Sequence, residues 1–174
     1  MTLTDFIAVL SLILAVASLT WQAATFALSG SRLRADLRHG ARNATVAVTG
    51  VPGSQSLDTL TQQGFTEEVF GVEVRNVGRL AAEVSRVQVA LANGVKVEVM
   101  GDLAANLPLT LAAQHSATWF VPAQPVRAAV AASVAALGKG SDPCKLWGEA
   151  QTVRGLVKTR NSMMLGSLRA LDRT

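Results

Sequence analysis

Cys144 is the residue of this chain with the greatest potential for catalytic chemistry. A nucleophilic thiol needs a base within hydrogen-bond reach, and His115 is the candidate, with Asp142 close to the cysteine in sequence. No recognised motif surrounds Cys144, and a lone cysteine most often packs as a small apolar side chain. An enzyme that uses Cys144 and His115 is therefore the least favoured interpretation.

The remaining polar residues form no stronger catalytic or metal-binding pattern. The second histidine, His39, is most simply a solvated residue, and the pair Glu67-Glu68 is most simply a solvated strand entry rather than a cation site. Two histidines and one cysteine, far apart in sequence, do not form a zinc signature. The chain also lacks a phosphate-binding glycine loop and a serine-nucleophile elbow. We therefore predict a non-enzymatic protein with no cofactor, no metal and no small-molecule substrate.

The element that must position the rest of the chain is an N-terminal stretch, Phe6 to Leu28, without any charged residue. As a helix that rises about 1.5 Å per residue it would be roughly 34 Å long, which is enough to cross a hydrocarbon core of about 30 Å. We predict that residues 1–30 form a transmembrane helix. Arginines follow this stretch and none precedes it, and basic residues are enriched on the cytoplasmic side. We therefore expect a single-pass membrane protein with its N-terminus outside and its C-terminal domain in the cytoplasm.

A cleaved signal peptide or an outward-facing domain is the alternative topology. Ala15-Val16-Ala17 resembles a cleavage site, and Asn43-Ala44-Thr45 is a glycosylation sequon. A signal peptide has a basic segment before its apolar core, whereas Met1–Asp5 contains no lysine or arginine. The single cysteine, which excludes an intrachain disulfide, agrees with a reducing compartment.

Small and polar side chains recur along one side of the predicted span, at alternating spacings of four and three. A seam of this period stays on one side of a helix that supercoils left-handedly, and small residues let a second helix approach closely. Gln22 is the most telling member, because an amide in hydrocarbon needs a hydrogen-bond partner. We predict that this helix-contact face mediates homo-oligomerisation or docking on a partner transmembrane helix. The face comprises Ser11, Ala15, Ser18, Gln22 and Thr25.

Residues 31–42 are predicted to be a basic juxtamembrane arm. Leu33 and Leu37 are one helical turn apart, which predicts a short helical continuation that ends near Gly40. Basic residues beside an anionic leaflet are attracted by about 1 kcal/mol each, so we predict contacts with anionic lipid headgroups. The predicted headgroup ligands are Arg32, Arg34, Arg38 and Arg42. Most of the net charge of +4 resides in this arm, and no basic stripe interleaved with aromatic residues follows it, so nucleic acid is not an expected partner.

Residues 43–161 are predicted to form one domain built mainly from strands. Short alternating apolar and polar runs with turns at close spacing are typical of strands, as in Val69–Asn76. Seven such strands predict an immunoglobulin-like antiparallel β-sandwich, with one short helix at Val126–Leu137. The single cysteine excludes the disulfide of antibody domains, so the topology stays open. Residues 162–174 are predicted to be a C-terminal tail.

Two further strand predictions concern the second half of this domain. We expect Leu107–Leu111 to pair with Ser116–Val121, and Trp147–Arg160 to form one strand.

The clearest local prediction is a hairpin between Val84–Leu91 and Val95–Met100. A two-residue turn at Asn93-Gly94 would place leucine opposite lysine and would mix the apolar and polar faces. A three-residue loop, Ala92 to Gly94, pairs residue 91 with 95, 89 with 97 and 87 with 99, and keeps the valines on one face. Gly94 would then occupy the left-handed position that such loops require.

Three segments resemble a group of bacterial single-pass proteins with an N-terminal anchor, an arginine-rich arm and a small β-sandwich. The segments are ALSGSRLRADLRHG, VEVRNVGRLAAEVSRVQVAL and HSATWFVP. The resemblance implies the anchored sandwich architecture and implies no activity, since none is associated with that group.

We therefore predict a membrane-anchored, non-enzymatic interaction or accessory module with a cytoplasmic β-sandwich domain. The alternative is a membrane-perturbing or phage-encoded small membrane protein, for which the basic C-terminal tail with its methionine and leucine cluster is the supporting feature.

Overall fold

The computed structural model describes residues 3–54, 56–99, 106–137 and 145–165. Strands account for 44% of the structure and helices for 29%, which confirms the predicted mainly β class. The strands are β1 (Leu33–Arg42), β2 (Ala47–Gly50), β3 (Glu67–Asn76), β4 (Ala82–Leu91), β5 (Lys96–Glu98), β6 (Leu109–Leu111), β7 (Ser116–Pro122), β8 (Lys145–Thr152), β9 (Gly155–Lys158) and β10 (Met163–Met164). The helices are α1 (Leu3–Ser29), α2 (Leu57–Gln62) and α3 (Ala123–Leu137).

The strands form two antiparallel sheets that share one hydrophobic core. The first sheet has the order β2-β1-β3-β7, and the second has the order β10-β8-β4-β5, with β6 also paired to β4 and β9 to β8. Side chains from both sheets and from α3 are fully buried between them, because alternate residues of each strand are apolar. Examples are Phe70, Val72, Val87, Leu91 and Val126.

The expected helical continuation of the arm is wrong, because those residues form β1. This strand pairs along its whole length with β3, from Leu33 opposite Asn76 to Arg42 opposite Glu67. Its inward side chains, including Leu37, are buried, whereas its arginines lie on the other face. The first sheet therefore includes residues that we assigned to the arm, and Gly40 ends no helix.

The three-residue loop of the predicted hairpin is confirmed. Val89 lies opposite Val97, and the main-chain N–H of Leu91 donates to the carbonyl of Val95 at 2.8 Å. Gly94 has a φ of 86°, the left-handed conformation that favours glycine.

Two other strand predictions are wrong. The predicted partners β6 and β7 belong to different sheets: β6 pairs with β4, and β7 pairs with β3. The predicted strand at residues 147–160 is a hairpin of β8 and β9, which turns at Val153-Arg154. Gly155, with a φ of 124°, permits this turn.

The buried side chain of Asn76 bonds to the main chain where the chain leaves β3 and where it leaves β6 to cross between the sheets. Its amide N–H groups donate to the carbonyls of Leu80 (2.7 Å) and Leu111 (3.1 Å), and its Oδ1 accepts from the N–H of Gly78 (3.0 Å). Main-chain polar groups that leave the sheet ladders are thereby satisfied.

The predicted short helix is confirmed as α3, and the start of the predicted tail is part of the second sheet. β10 pairs with β8, and Leu165 packs into the core. The remainder of the predicted tail, residues 166–174, lies outside the described residues.

α1 carries no charged residue between Phe6 and its end, and residues 3–26 are long and apolar enough to cross a membrane. This helix is compatible with the predicted membrane anchor.

The strand directions give the sheets two distinct ends. The span-proximal end, next to the C-terminus of α1, contains the β3–β4 loop (residues 77–81), the β6–β7 loop (residues 112–115) and the β8–β9 turn (residues 153–154). At about 3.3 Å per residue, β1 extends roughly 30 Å from Leu33 to Arg42. The opposite, distal end therefore lies about 30 Å further along the strands and includes Val46 in the β1–β2 turn.

Candidate functional site

Of the residues considered for catalysis, only His115 lies in the described part of the chain. His115 is exposed in the β6–β7 loop, where its Nδ1 lies 2.9 Å from the carbonyl oxygen of Ala113. Its proposed partners Cys144 and Asp142 lie outside the described residues. Within the described ranges, no group of three or more His, Cys, Asp or Glu side chains could hold a metal ion.

The predicted helix-contact face lies on an exposed side of α1. Two of its hydroxyl groups donate within the helix, Ser11 to the carbonyl of Ile7 and Thr25 to the carbonyl of Trp21, both at 2.8 Å. The amide of Gln22 donates to the hydroxyl of Ser18 at 3.3 Å. These bonds reduce the free-energy cost of placing the polar groups in lipid. They leave lone pairs on the amide and hydroxyl oxygens that can accept hydrogen bonds from a neighbouring helix.

The four arginines predicted to contact lipid headgroups have different environments. Arg38 donates from Nε and from its terminal nitrogen to Glu73, at 2.9 and 2.6 Å, and Arg42 donates to Glu67 at 2.6 Å. Burial opposes ionisation of Glu73, but hydrogen bonds from Arg38 and Arg75 outweigh it, so the pKa of Glu73 lies below its ordinary value. Arg38 and Arg42 are thus engaged within the sheet.

The other two arginines, Arg32 and Arg34, are exposed and lie at the span-proximal end of β1. They are therefore the members of the predicted set that lie nearest the end of α1.

The span and the sheets are joined by direct contacts at residues 30–32. The main-chain N–H of Val77 donates to the carbonyl of Arg32 at 2.8 Å. Gly78 packs so closely that a Cβ there would overlap the backbone of Gly30 and Arg32. On the other side, the guanidinium of Arg154 donates to the carbonyl of Ser31 at 3.4 Å. Residues 30–32, which directly follow α1, are therefore held by the β3–β4 loop and the β8–β9 turn.

A groove of about 340 Å³ lies between these two loops. Its walls are mainly apolar and include Leu33, Leu80, Ala82 and Val157, while Glu83 and Arg154 are its charged residues. The groove adjoins Ser31 and therefore opens beside the end of the span.

The span-proximal loops expose apolar side chains beside arginines. Leu80 is 54% exposed and follows Arg79, and Val153 is 85% exposed and precedes Arg154. We call these four residues the basic-apolar tip. The sequence analysis placed Val153 and Arg154 within the predicted strand Trp147–Arg160; an apolar residue next to an arginine in a turn was the signal that could have identified the tip.

A second polar cluster lies near the distal end, where sequence reasoning placed solvated residues. His39 is buried against the ring of Phe70, with ring centroids 5.3 Å apart, and its Nε2–H donates to Glu68 at 2.8 Å. Arg127 of α3 forms a two-pronged ion pair with the same carboxylate, at 2.7 Å to each oxygen. Burial opposes ionisation of Glu68, but hydrogen bonds from His39 and Arg127 outweigh it and lower its pKa. The predictions of a solvated His39 and a solvated Glu68 are therefore wrong, whereas the Glu67 side chain is 40% exposed. The cluster joins α3 to the first sheet.

A third cluster surrounds Glu149 on the outer face of the second sheet. Its carboxylate accepts hydrogen bonds from Trp147 at 2.9 Å and from Gln88 at 2.7 Å, and it pairs with Lys96 at 2.9 Å. Only 3% of the Glu149 side chain is exposed. Burial opposes its ionisation, but bonds from Trp147, Lys96 and Gln88 outweigh it, so its pKa lies below the ordinary value. This cluster ties three strands together and contains no unpaired group aimed at a ligand among the described residues.

No protein-family model matches the chain, and comparison with curated protein sequences gives no match. The features that bear on function are therefore those of the chain itself: an apolar N-terminal helix, a domain of two β-sheets, and the contacts of the connecting residues 30–32 with that domain.

Proposed function

We propose that this protein is a membrane-anchored, non-enzymatic interaction or accessory module. The observation that carries the proposal is the direct joining of α1 to the β domain through residues 30–32. Because the residues that contact Gly78 and Arg154 directly follow α1, the linker between the span and the domain is short. A domain attached in this way is positioned at a membrane surface rather than tethered at a distance from it.

The proposed interaction face is the helix-contact face defined above, which would bind a second copy of the chain or a partner transmembrane helix. The proposed domain is immunoglobulin-like, and the strand order supports this. β3 lies between β1 and β7, and β8 lies between β4 and β9, as the A-B-E and C-F-G strands do in such sandwiches. The pairing of β6 with β4 departs from that pattern.

Cysteine crosslinking along α1 tests the interaction face, in a Cys144→Ser background so that each variant has one thiol. Thr25→Cys and Thr20→Cys form a matched pair, because both hydroxyls bond to the carbonyl four residues earlier. At about 100° per residue the two positions lie roughly 140° apart around the helix. Ala15→Cys and Ala24→Cys form a second pair, about 180° apart.

We expect disulfide crosslinks between copies at positions 25 and 15 and weaker crosslinks at 20 and 24. If the chain binds a different partner helix, the same positions should crosslink to that partner. Equal crosslinking at all four positions would contradict the proposed face.

The proposed orientation, N-terminus outside and domain in the cytoplasm, is tested with a membrane-impermeant maleimide. Thr4→Cys lies near the start of α1, and Val46→Cys lies in an exposed turn at the distal end of the domain. In the Cys144→Ser background, we expect intact cells to label position 4 and only lysed cells to label position 46. The reverse pattern would place the domain outside.

A further inference from the structure

We propose that the basic-apolar tip, formed by Arg79, Leu80, Val153 and Arg154, is a second membrane-binding element that inserts into the surface of an anionic bilayer. This inference rests on the proposed membrane anchoring and adds residues that contact the lipid. The predicted headgroup ligands in the arm are different residues.

The position of the tip supports this assignment. The apolar span extends to Phe26, and Gly30 follows about 6 Å further along at 1.5 Å per residue. The polar interface of a bilayer begins where the hydrocarbon core ends and is several ångströms thick on each side. Because Gly78 and Arg154 contact residues 30–32, the two loops that carry the tip lie at headgroup depth.

The chemistry of the tip also fits this depth. Val153 has the highest exposed fraction, 85%, of the large hydrophobic residues recorded as exposed in the described β domain, and Leu80 is 54% exposed. Each apolar side chain has an arginine as its sequence neighbour, so each loop offers one group for the acyl boundary and one for a phosphate. Glu83 is the acidic residue of the adjoining groove, and the arginines Arg79 and Arg154 outweigh it.

The β8–β9 turn is organised without help from the Val153 side chain. The N–H of Arg154 donates to the hydroxyl of Thr152 at 3.2 Å, and that hydroxyl donates to the carbonyl of Gly155 at 2.8 Å. Val153 is therefore presented outward by a turn whose bonds lie in the backbone and in Thr152. Substitution of Val153 should consequently leave the fold intact and change only the surface.

The test uses the full chain, in a Cys144→Ser background, with a single cysteine labelled by an environment-sensitive fluorophore such as NBD. Val153→Cys places the probe in the tip, and Val46→Cys is the matched control, because both are exposed valines in turns at opposite ends of the domain. Leu14→Cys places a third probe in the middle of α1. The protein is reconstituted in phosphatidylcholine vesicles with or without phosphatidylglycerol, and quenching by nitroxide-labelled lipid is measured.

We expect strong quenching at position 14, quenching with a blue-shifted emission at position 153, and little quenching at position 46. Quenching at 153 should rise with phosphatidylglycerol. Arg79→Gln, which leaves the bond from Arg154 to Ser31 intact, should weaken the equilibrium of the tip with the anionic surface by about fivefold, the effect of one basic charge near such a surface.

The failures of the two proposals are distinguishable. Absence of quenching at position 14 would overturn the membrane anchor itself. Quenching at position 14 with equally low quenching at positions 153 and 46 would overturn only the proposal that the tip binds the membrane. A blue shift at position 153 without lipid quenching would mean that protein and not lipid covers the tip, which would overturn its insertion into the bilayer. Quenching at position 153 that does not depend on phosphatidylglycerol would overturn the preference of the tip for anionic lipid.

Discussion

Replacement of Glu149 by glutamine should destabilise the β domain far more than its small chemical change suggests. One oxygen of the carboxylate accepts from Trp147, and the other accepts from Gln88 and pairs with Lys96. An amide in its place has one oxygen and one NH₂ group, so in either orientation an N–H faces another donor. Rotation of the Gln88 amide would relieve one such clash but would still leave Lys96 without its anion.

The expected cost follows from these contacts. Hydrogen bonds to a charged group contribute about 1.5–3 kcal/mol each when one partner is removed, and Glu149 is almost fully buried. We therefore expect the free energy of unfolding at pH 7 to fall by about 2–3 kcal/mol in Glu149→Gln. Glu98→Gln is the matched control, because Glu98 lies on the same sheet and forms an exposed ion pair with Arg86. Exposed pairs of this kind contribute about 0–1 kcal/mol.

The pH dependence of the same variant gives an independent check. The pKa of Glu149 is lower in the folded protein, so its contribution is present above the unfolded pKa and is lost as pH falls through the folded pKa. The difference between wild type and Glu149→Gln should consequently stay constant from pH 7 to about pH 5 and shrink as the pH falls below the ordinary glutamate pKa of about 4.3. Urea unfolding of the full chain in detergent, followed by tryptophan fluorescence, measures both quantities. An equal cost for Glu149→Gln and Glu98→Gln, or a difference that does not change with pH, would refute this reasoning.

Two glycines give further predictions. Gly94→Val should lower the free energy of unfolding by about 1–2 kcal/mol, because a β-branched residue is strained at a φ of 86°. The control Ala92→Val, in the same exposed loop, should change the free energy of unfolding by about 0.5 kcal/mol or less. Urea unfolding measures both values. Gly78→Val should separate the β3–β4 loop from the residues that follow α1, because the valine Cβ would overlap the backbone of Gly30 and Arg32. Trypsin should then cleave the variant after Arg32 faster than it cleaves the wild type. A cleavage rate equal to that of the wild type would show that this packing does not hold the span.

Local patterns predicted the elements in which apolar and polar residues recur at a regular spacing within one segment. The register of the β4–β5 hairpin was predicted correctly, because only one register keeps Val87, Val89 and Val97 on the buried face. The apolar span and α3 were predicted for the same reason, since long periodic or uncharged runs have few alternative structures.

β1 was missed because a spacing of four residues fits two periods. Leu33 and Leu37 share one face of a helix and equally share one face of a strand. The intervening Ala35, which is fully buried, distinguishes the two, because it continues the alternation of a strand and would point away from both leucines in a helix.

The long-range features could not be predicted from local patterns. Nothing within Leu109–Leu111 or Ser116–Pro122 specifies that each pairs in a different sheet. In the same way, His39 and Arg127 meet at Glu68 only because α3 packs on β3. The two halves of the basic-apolar tip likewise belong to loops that are distant in sequence and meet only at the end of α1.

The coupling of α1 to the domain links the two proposed interactions. Because Gly78 and Arg154 contact residues 30–32, which directly follow α1, we expect rotation of the helix about its axis to turn the domain as well. If copies associate through the face that contains Ala15 and Thr25, the same side of each domain must then face its neighbour. Contact of the tip with the bilayer would further restrict the tilt of each domain. Two neighbouring domains would then meet in a fixed orientation, so that even weak contacts between them form at a high effective concentration. The helix face would thus select the partner, and the tip would fix the orientation in which the domain meets it.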